Sequence, residues 1–314
     1  MKSILLFTGL CVALFSKLYA QDAKPVKDWL NRLSIDKNNI VITKNINQDD
    51  VFKTWAKDGV LHIEGGSTSA LCFGIGQALK SHGFFHMSWE GNRQVNDIVW
   101  PDQEMKTGQS QFKYRSYLNA CTFGYSTPWW DWDRWEKEID WMALRGINMP
   151  TAMMGQEYIW KQIWNELGIS DQKLQDYFPG PAFLPWHRMG NLNGHNGPLP
   201  YSFMEREMNL QKRVLARMRE LELKPVVPAF SGYVPKALKE IYPKAKIHEM
   251  KPWSGLNSHT YFLDPKDPLF KIISGLFIKK YTEVYGKCDY FLADAFNEMD
   301  PPVSKENKNK ELRE

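Results

Sequence analysis

The sequence predicts an α/β protein in which a small mixed domain precedes a longer region of alternating strands and helices. From Gln111 onward, apolar runs of strand length alternate with segments of helical periodicity, a pattern typical of parallel strands joined by crossover helices. Before Gln111, two apolar runs flank an Asp-Gly pair, which indicates an antiparallel hairpin. We therefore predict two domains, 21–110 and 111–314.

The first twenty residues have the features of a secretory signal. Lys2 is followed by an apolar run from Ile4 to Phe15, and the small residue Ala20 precedes Gln21. The run is too short to span a membrane, so we expect export to the periplasm or the cell exterior. The chain has a formal net charge of +4, and removal of residues 1–20 lowers it further. Such a near-neutral chain favours neither a nucleic-acid partner nor a membrane partner.

Residues 21–110 predict a hairpin, a helix and a further strand. The hairpin strands are Val51–Ala56 and Val60–Ile63, because Asp58-Gly59 between them tolerates positive φ. Ser67 can cap a helix that runs to about Ser81, and 84–89 follows as a strand. Gly65 and Gly66 precede the helix, but Gly74 and Gly76 fall inside it rather than before it as a phosphate loop requires, and the histidines are scattered. We expect no metal and no cofactor.

Four strands are predicted after residue 110, over 112–121, 147–153, 226–230 and 290–296. The segments between them carry helical patterns, including 132–146, a helix that Ser202 and Glu205 begin as a capping box, and 268–285. A long connection over 178–192 is rich in Pro, Gly and aromatic residues. Long loops of this kind usually form substrate walls, and we expect the same here.

Glu298 is the leading catalytic candidate. It follows an apolar run, Tyr290–Ala295, that is typical of a buried parallel strand. The carboxyl ends of parallel barrel strands are where chemistry is placed, because the following loops converge there. Alternatively, Asn297 and Glu298 only begin a loop or cap a helix, and the spacing alone leaves both interpretations open.

Several separated motifs match one family together. The sequence resembles the α-N-acetylglucosaminidases of glycoside hydrolase family 89, whose human lysosomal member degrades heparan sulfate, over about residues 110–302. The motifs that carry the resemblance are Asn119-Ala120-Cys121-Thr122, Trp129-Trp130-Asp131-Trp132, Glu138–Leu144, Gly180–Leu184, Arg188–Asn191, Pro228–Phe230 and Phe296–Met299.

The resemblance implies a small α/β domain followed by a (β/α)8 TIM barrel, of which residues 111–314 supply the first half, four strand-helix units. It also implies that Glu298 is the general acid/base and that the nucleophile, a second glutamate, lies beyond Glu314. By the same resemblance, the sugar pocket is lined by Asn119, Cys121, Tyr125, Trp186 and Trp253.

The resulting hypothesis is a retaining exo-glycosidase that removes terminal α-linked N-acetylglucosamine from glycans such as heparan sulfate, with this chain as its amino-terminal part. Asn297 would hydrogen-bond the substituent on the neighbouring sugar carbon, and Cys121 would pack beside the acetamido group rather than act as a nucleophile. The alternative is a non-catalytic sugar-binding protein, or an inactive fragment that lacks the nucleophile. The sequence predicts no particular oligomeric state and does not select the natural glycan.

Overall fold

The structure is a computed structural model that describes residues 23–45 and 50–302. The predicted signal peptide, 1–20, and the polar residues 304–314 lie outside the described residues. The chain divides into two compact units. The first contains the described residues up to 117 together with 134–150 and 216–224, and the second contains 118–133, 151–215 and 225–302. The predicted α/β class is confirmed, whereas the domain boundary near residue 110 stays a prediction.

A four-stranded mixed sheet forms the centre of the first unit. Its strands, in order across the sheet, are β1 (Ile40–Lys44), β3 (Val60–Gly65), β2 (Val51–Lys57) and β6 (Gln103–Gln109), with β1 parallel to β3 and the other pairs antiparallel. The predicted hairpin is confirmed, and Asp58 and Gly59 turn it with φ values of 51° and 80°. The other strands up to residue 110 are β4 (Phe85–Met87) and β5 (Asn92–Gln94).

Two helices complete this layer, α1 (Lys24–Arg32) and α2 (Thr68–Ser81). Helix α2 begins as predicted, because the Ser67 side chain accepts a hydrogen bond from the backbone N–H of Ala70 at 3.1 Å. Gly83 follows its end with φ 67°. The helix packs against β2 and β3. The fully buried residues of this core include Trp29, Leu30, Leu61, Ile63, Leu71, Ile75 and Leu79.

The part of the chain after residue 110 contains shorter strands than predicted. The strands are β7 (Ser116–Tyr117), β8 (Met149–Pro150), β9 (Val226–Pro228), β10 (Tyr233–Val234), β11 (Ile247–Glu249), β12 (Tyr261–Leu263) and β13 (Tyr290–Leu292). The helices are α3 (Thr122–Tyr125), α4 (Trp132–Leu144), α5 (Gln156–Glu166), α6 (Asp171–Leu174), α7 (Leu184–Arg188), α8 (Tyr201–Glu220), α9 (Ala237–Ile241) and α10 (Pro268–Tyr285), with a 3-10 turn at Pro181–Phe183.

The four predicted strands pair in parallel, in two two-stranded sheets rather than in one continuous sheet. Strand β7 pairs in parallel with β8, and β9 pairs in parallel with β13. Thr151, the residue after β8, forms a parallel bridge with Val226. The prediction of a strand over 112–121 was wrong in length, because Leu118 has φ 69° and the backbone then turns into α3. Asn119 and Cys121 therefore lie in a turn after the strand, not on it.

Four further details differ from the sequence analysis. The connection between β9 and β13 contains a three-stranded antiparallel sheet, β10-β12-β11, where only a loop was predicted. No helix follows β13 within residues 293–302, so three helical connections join the four parallel strands in the described chain. The residue Phe291, predicted as buried, is 38% exposed. Ser202 lies inside α8 rather than at its N-cap.

Stacked aromatic residues form much of the core of the second unit. The Trp160 ring stacks on Phe277 with centroids 4.2 Å apart and on Trp164 at 5.2 Å. Trp160 and Trp164 come from α5 and Phe277 from α10, so these rings join two helices of the second unit. Their burial fixes those helices against each other through a large apolar area.

Candidate functional site

The segment that carries Glu298 follows β13 and is fixed by its neighbours. Phe296 and Met299 pack against a buried cluster of Tyr233, Met250 and Phe262. The Tyr233 hydroxyl donates to the Ala295 carbonyl at 2.7 Å. Glu298 itself has φ 56°, a left-handed conformation that costs a non-glycine residue about 1 kcal/mol or more. The packing on both sides of Glu298 therefore fixes the backbone from which its side chain projects.

Three hydrogen bonds fix the Asn297-Glu298 pair further. The indole Nε1 of Trp253 donates to Oε2 of Glu298 at 3.0 Å. Asn191 donates its side-chain N–H to the carbonyl of Asn297 at 2.8 Å, and the Nδ2 of Asn297 donates to Oδ2 of Asp294 at 3.1 Å. The carboxylate of Glu298 is exposed to solvent, so an incoming substrate can reach it.

Glu298 lies at one side of an open cleft of about 430 Å³. A volume of this size is within the range of about 300–1,000 Å³ typical of small-molecule sites. Six of the seven predicted site residues line this cleft: Cys121, Tyr125, Trp186, Trp253, Asn297 and Glu298. These six residues thus combine three large aromatic side chains with one carboxylate and one amide, as a sugar site needs.

Asn119, the seventh predicted residue, is not part of this lining. Its side-chain oxygen accepts hydrogen bonds from the backbone N–H of Thr122 at 2.9 Å and from the Thr122 hydroxyl at 2.8 Å. The short helix α3 begins there and carries Tyr125, whose ring meets Trp186 edge-on with centroids 5.2 Å apart. Asn119 in this structure therefore shapes the turn that presents Cys121 and Tyr125.

Cys121 is held as a neutral thiol. Burial raises its pKa, and the negative charges of Glu298 and Asp294 raise it further. A thiol in this environment is a poor nucleophile, because the reactive thiolate is disfavoured. The three cysteines of the described residues, Cys72, Cys121 and Cys288, form no disulfide.

Residues 188–191 lie beside the cleft and are held in place by polar contacts. Arg188 forms a buried two-point ion pair with Glu157, at 2.7 and 3.0 Å. Gly190 accepts a hydrogen bond from the Thr260 hydroxyl at 2.8 Å, and Asn191 contacts Asn297 as described above. Burial also lowers the pKa of the adjacent His187 to about 4, so this ring is neutral at physiological pH.

Comparison with known proteins identifies the family. Residues 115–314 match the family model of the α-N-acetylglucosaminidase (NAGLU) tim-barrel domain. Human α-N-acetylglucosaminidase is 40% identical over 249 residues, which cover 78% of this chain and 33% of the human protein. The chain belongs to the α-N-acetylglucosaminidase family.

Solved structures of the same family agree with the fold. A family 89 glycoside hydrolase from Clostridium perfringens in complex with PUGNAc is 27% identical, with a TM-score of 0.80, over 88% of this chain and 33% of that one. The Clostridium enzyme with two glutamate-to-glutamine substitutions, in complex with its substrate GlcNAc-α-1,4-galactose, is 26% identical with a TM-score of 0.80 over 91% of this chain and 34% of that one. The chain spans about one third of the length of these relatives.

Five residues that line the cleft around Glu298 were not predicted from the sequence. The further lining residues are Phe183, Met189, Leu192, His195 and Leu256. Three of them lie in the connection over 178–192, which was predicted to form substrate walls. Its content of Pro, Gly and aromatic residues was the sequence signal for these three. His195 had no signal, because it lies beyond that segment; its ring meets Phe183 edge-on with centroids 4.6 Å apart.

Residues 23–45 and 50–302 contain no group of three or more His, Cys, Asp or Glu side chains that could hold a metal ion. In the same residues, no helix has the length and apolar character needed to cross a membrane.

Proposed function

We propose that this chain carries the sugar-binding and acid/base part of a retaining exo-glycosidase that removes terminal α-linked N-acetylglucosamine. The observation that carries the proposal is the convergence of Cys121, Tyr125, Trp186 and Trp253 around Glu298 in one open cleft. These residues come from positions as far apart as 121 and 298, and the fold brings them together beyond the end of β13.

Glu298 is proposed as the general acid/base. It would protonate the departing glycosidic oxygen and later accept a proton from water. The hydrogen bond from Trp253 and the packing of Phe296 and Met299 hold this carboxylate at the cleft. Such fixed placement is what proton transfer to one particular oxygen requires.

The nucleophile is proposed to come from a part of the protein other than the described residues. Retaining glycosidases hold two carboxyl groups about 5–5.5 Å apart. Glu298 is the one carboxylate among the described residues that line the cleft. The Clostridium relative in complex with its substrate carries substitutions at two glutamates, which supports a site with two such residues. We infer accordingly that the four parallel strands constitute the front half of a (β/α)8 barrel.

The sugar contacts follow from the lining. Tyr125, Trp186 and Trp253 offer aromatic faces or edges to the apolar side of a pyranose ring. The Asn297 amide would meet the substituent on the carbon beside the anomeric centre, and Cys121 would pack against the acetamido methyl group. Heparan sulfate is proposed as one natural glycan, because human α-N-acetylglucosaminidase is 40% identical to this chain and, by the family resemblance, degrades it. An exported protein, as residues 1–20 predict, would meet extracellular glycans.

The test compares release of a chromogenic phenol from its α-N-acetylglucosaminide by four proteins. They are the 314-residue chain, the chain extended to the length of its relatives, and the extended chain with Glu298→Gln or with Glu283→Gln. Glu283 is an exposed residue of α10 and serves as the matched control. We expect activity in the extended chain and in the Glu283→Gln variant only, with Glu298→Gln lower by about 10²–10⁴-fold.

The second candidate function is sugar binding without hydrolysis, and the single carboxylate in the described cleft is the observation that favours it. In that case the extended chain would bind PUGNAc but release no phenol. Equal turnover by the Glu298→Gln and Glu283→Gln variants would contradict the acid/base assignment.

A further inference from the structure

A second cleft, in the first unit, has the character of a saccharide site. It has a volume of about 240 Å³ and is lined by Met87, Ser88, Trp89, Gly91, Asn92, Arg134, Lys137, Glu138 and Trp141. Every one of these residues belongs to the first unit, so the cleft is separate from the one around Glu298. The volume is below the range of about 300–1,000 Å³ of drug-sized ligands, so it suits one sugar ring of a longer chain.

Trp89 lies at the tip of the β4-β5 hairpin and is 56% exposed, which is unusual for a large aromatic residue. Its indole is nonetheless fixed. Nε1 donates to Oε2 of Glu138 at 2.9 Å, and the guanidinium carbon of Arg134 lies 5.1 Å from the ring centroid. A rigid, exposed indole offers a flat apolar face for a pyranose at little cost in conformational entropy.

The charges of the cleft favour an anionic ligand. The Glu138 carboxylate is 1% exposed and is satisfied by Trp89, by the Tyr117 hydroxyl at 2.9 Å and by Arg134 at 2.9 Å. Arg134 therefore offsets the charge of Glu138. Lys137 is exposed and has no ion-pair partner among the described residues. The lining thus carries one positive charge in excess beside an exposed indole.

A further carboxylate lies close in sequence, at Glu90, but the residue is not part of the lining. Hydrogen bonds to its own backbone and to the Ser88 side chain lower the pKa of Glu90, so this carboxylate is ionised. The excess positive charge is therefore a property of the lining residues alone.

We propose that the cleft around Trp89 is a second saccharide-binding site, which takes a sugar that bears a carboxylate or sulfate group. The pyranose stacks on Trp89, and its anionic group meets Lys137 and the outer edge of Arg134. The site holds an acidic glycan without cleaving it. This binding is independent of the hydrolysis proposed at Glu298.

The test measures binding of a heparin tetrasaccharide to the full-length protein by isothermal titration calorimetry, with PUGNAc present to occupy the first cleft. Neutral chitotetraose and inorganic sulfate are the comparison ligands. We expect the heparin tetrasaccharide to bind, chitotetraose to bind more weakly, and sulfate alone to bind more weakly still. Affinity should fall as NaCl is raised, because salt screens exposed charges.

Variants separate the contribution of the Trp89 ring to binding from that of the Lys137 charge. Trp89→Ala should weaken binding by about tenfold, whereas Trp89→Phe should retain most of it, because the aromatic face remains. Lys137→Met should weaken binding severalfold and flatten its salt dependence, and Lys57→Met, an exposed lysine on β2, is the matched control. Unchanged melting temperatures would show that the variants fold.

Three results would overturn the proposal. They are heparin affinity unchanged by Trp89→Ala and Lys137→Met, chitotetraose binding as tight as the heparin tetrasaccharide, and sulfate binding that accounts for the full affinity. Failure of hydrolysis by Glu298 would leave these measurements unaffected, because calorimetry measures binding at Trp89 without any catalytic step.

Discussion

Gly190 connects the 188–191 motif with the position of Glu298, and Gly190→Ala tests that connection. A Cβ added at Gly190 would lie 2.0 Å from ring atoms of Tyr233, a separation that no folded protein tolerates. The Tyr233 ring cannot swing aside freely, since it is 7% exposed and its hydroxyl holds the Ala295 carbonyl at 2.7 Å. The substitution should therefore displace the segment that carries Glu298.

The expected loss of stability has three parts. Gly190 has φ 78°, a conformation that costs alanine about 1 kcal/mol. Overpacking against a buried ring costs about 1–3 kcal/mol, and loss of the hydrogen bond from Tyr233 to Ala295 costs about 1 kcal/mol. The free energy of unfolding should then fall by about 3–5 kcal/mol.

The assay is urea denaturation of the purified protein, followed by tryptophan fluorescence. Two glycine variants are matched controls for the two causes. Gly168 has φ 93° but only ordinary contacts, the nearest at 3.8 Å, so Gly168→Ala should lose about 1 kcal/mol. Gly275 lies in α10 with no atom within 4 Å of an added Cβ, so Gly275→Ala should be neutral or stabilising by up to about 1 kcal/mol. A Gly190→Ala loss no larger than that of Gly168→Ala would refute the steric argument.

Three further predictions concern single side chains. Trp253→Phe removes the donor to Glu298 and should lower turnover about 5- to 30-fold with little change in melting temperature, because an exposed hydrogen bond to a charged group contributes about 1–2 kcal/mol. Glu298→Gln removes a negative charge that raises the pKa of Cys121, so iodoacetamide should alkylate this thiol a few-fold faster near pH 8; an unchanged rate would show that the two groups are far apart. Burial raises the pKa of Glu207 from 4.5 to about 7, so the folded state favours the protonated carboxyl. That stabilisation is fully present below pH 4.5 and is lost as the pH rises through 7, and Glu207→Gln should abolish this slope in urea midpoints measured across the range.

Local sequence signals predicted the elements that local chemistry determines. The hairpin at Asp58-Gly59 formed because both residues accept positive φ, and α10 runs from Pro268 to Tyr285 as predicted, because Pro268 begins it and Gly286 ends it. The order of parallel strands also followed from the alternation of strand and helix patterns.

The details that failed depend on tertiary contacts. The segment Phe112–Cys121 was predicted as a strand, yet its backbone leaves the extended conformation at Leu118, and composition does not encode that turn. The antiparallel sheet β10-β12-β11 was missed because each strand is two or three residues long, below the length at which alternation is visible.

The candidate site was predicted unevenly for the same reason. Glu298 was found from its place after a strand and from the family resemblance, and the aromatic residues were found from the resemblance. The hydrogen bond from Trp253 to Glu298 joins residues 45 positions apart. Such a contact between distant positions leaves no local pattern in the sequence. His195 was missed for this reason too.

The most direct test of the central claim is the dependence of turnover on the leaving group in a Glu298→Ala variant of the extended chain. A general acid matters for a leaving group that needs a proton, and it matters little for one that departs as a stable anion. We predict that kcat/KM of Glu298→Ala, which reports the first step, falls by about 10²–10⁴-fold on GlcNAc-α-1,4-galactose but stays close to the wild-type value on a dinitrophenyl α-N-acetylglucosaminide. The readout is kcat/KM, because loss of the base slows the second step for both substrates. An equal loss on both substrates would contradict the assignment of Glu298 as the acid.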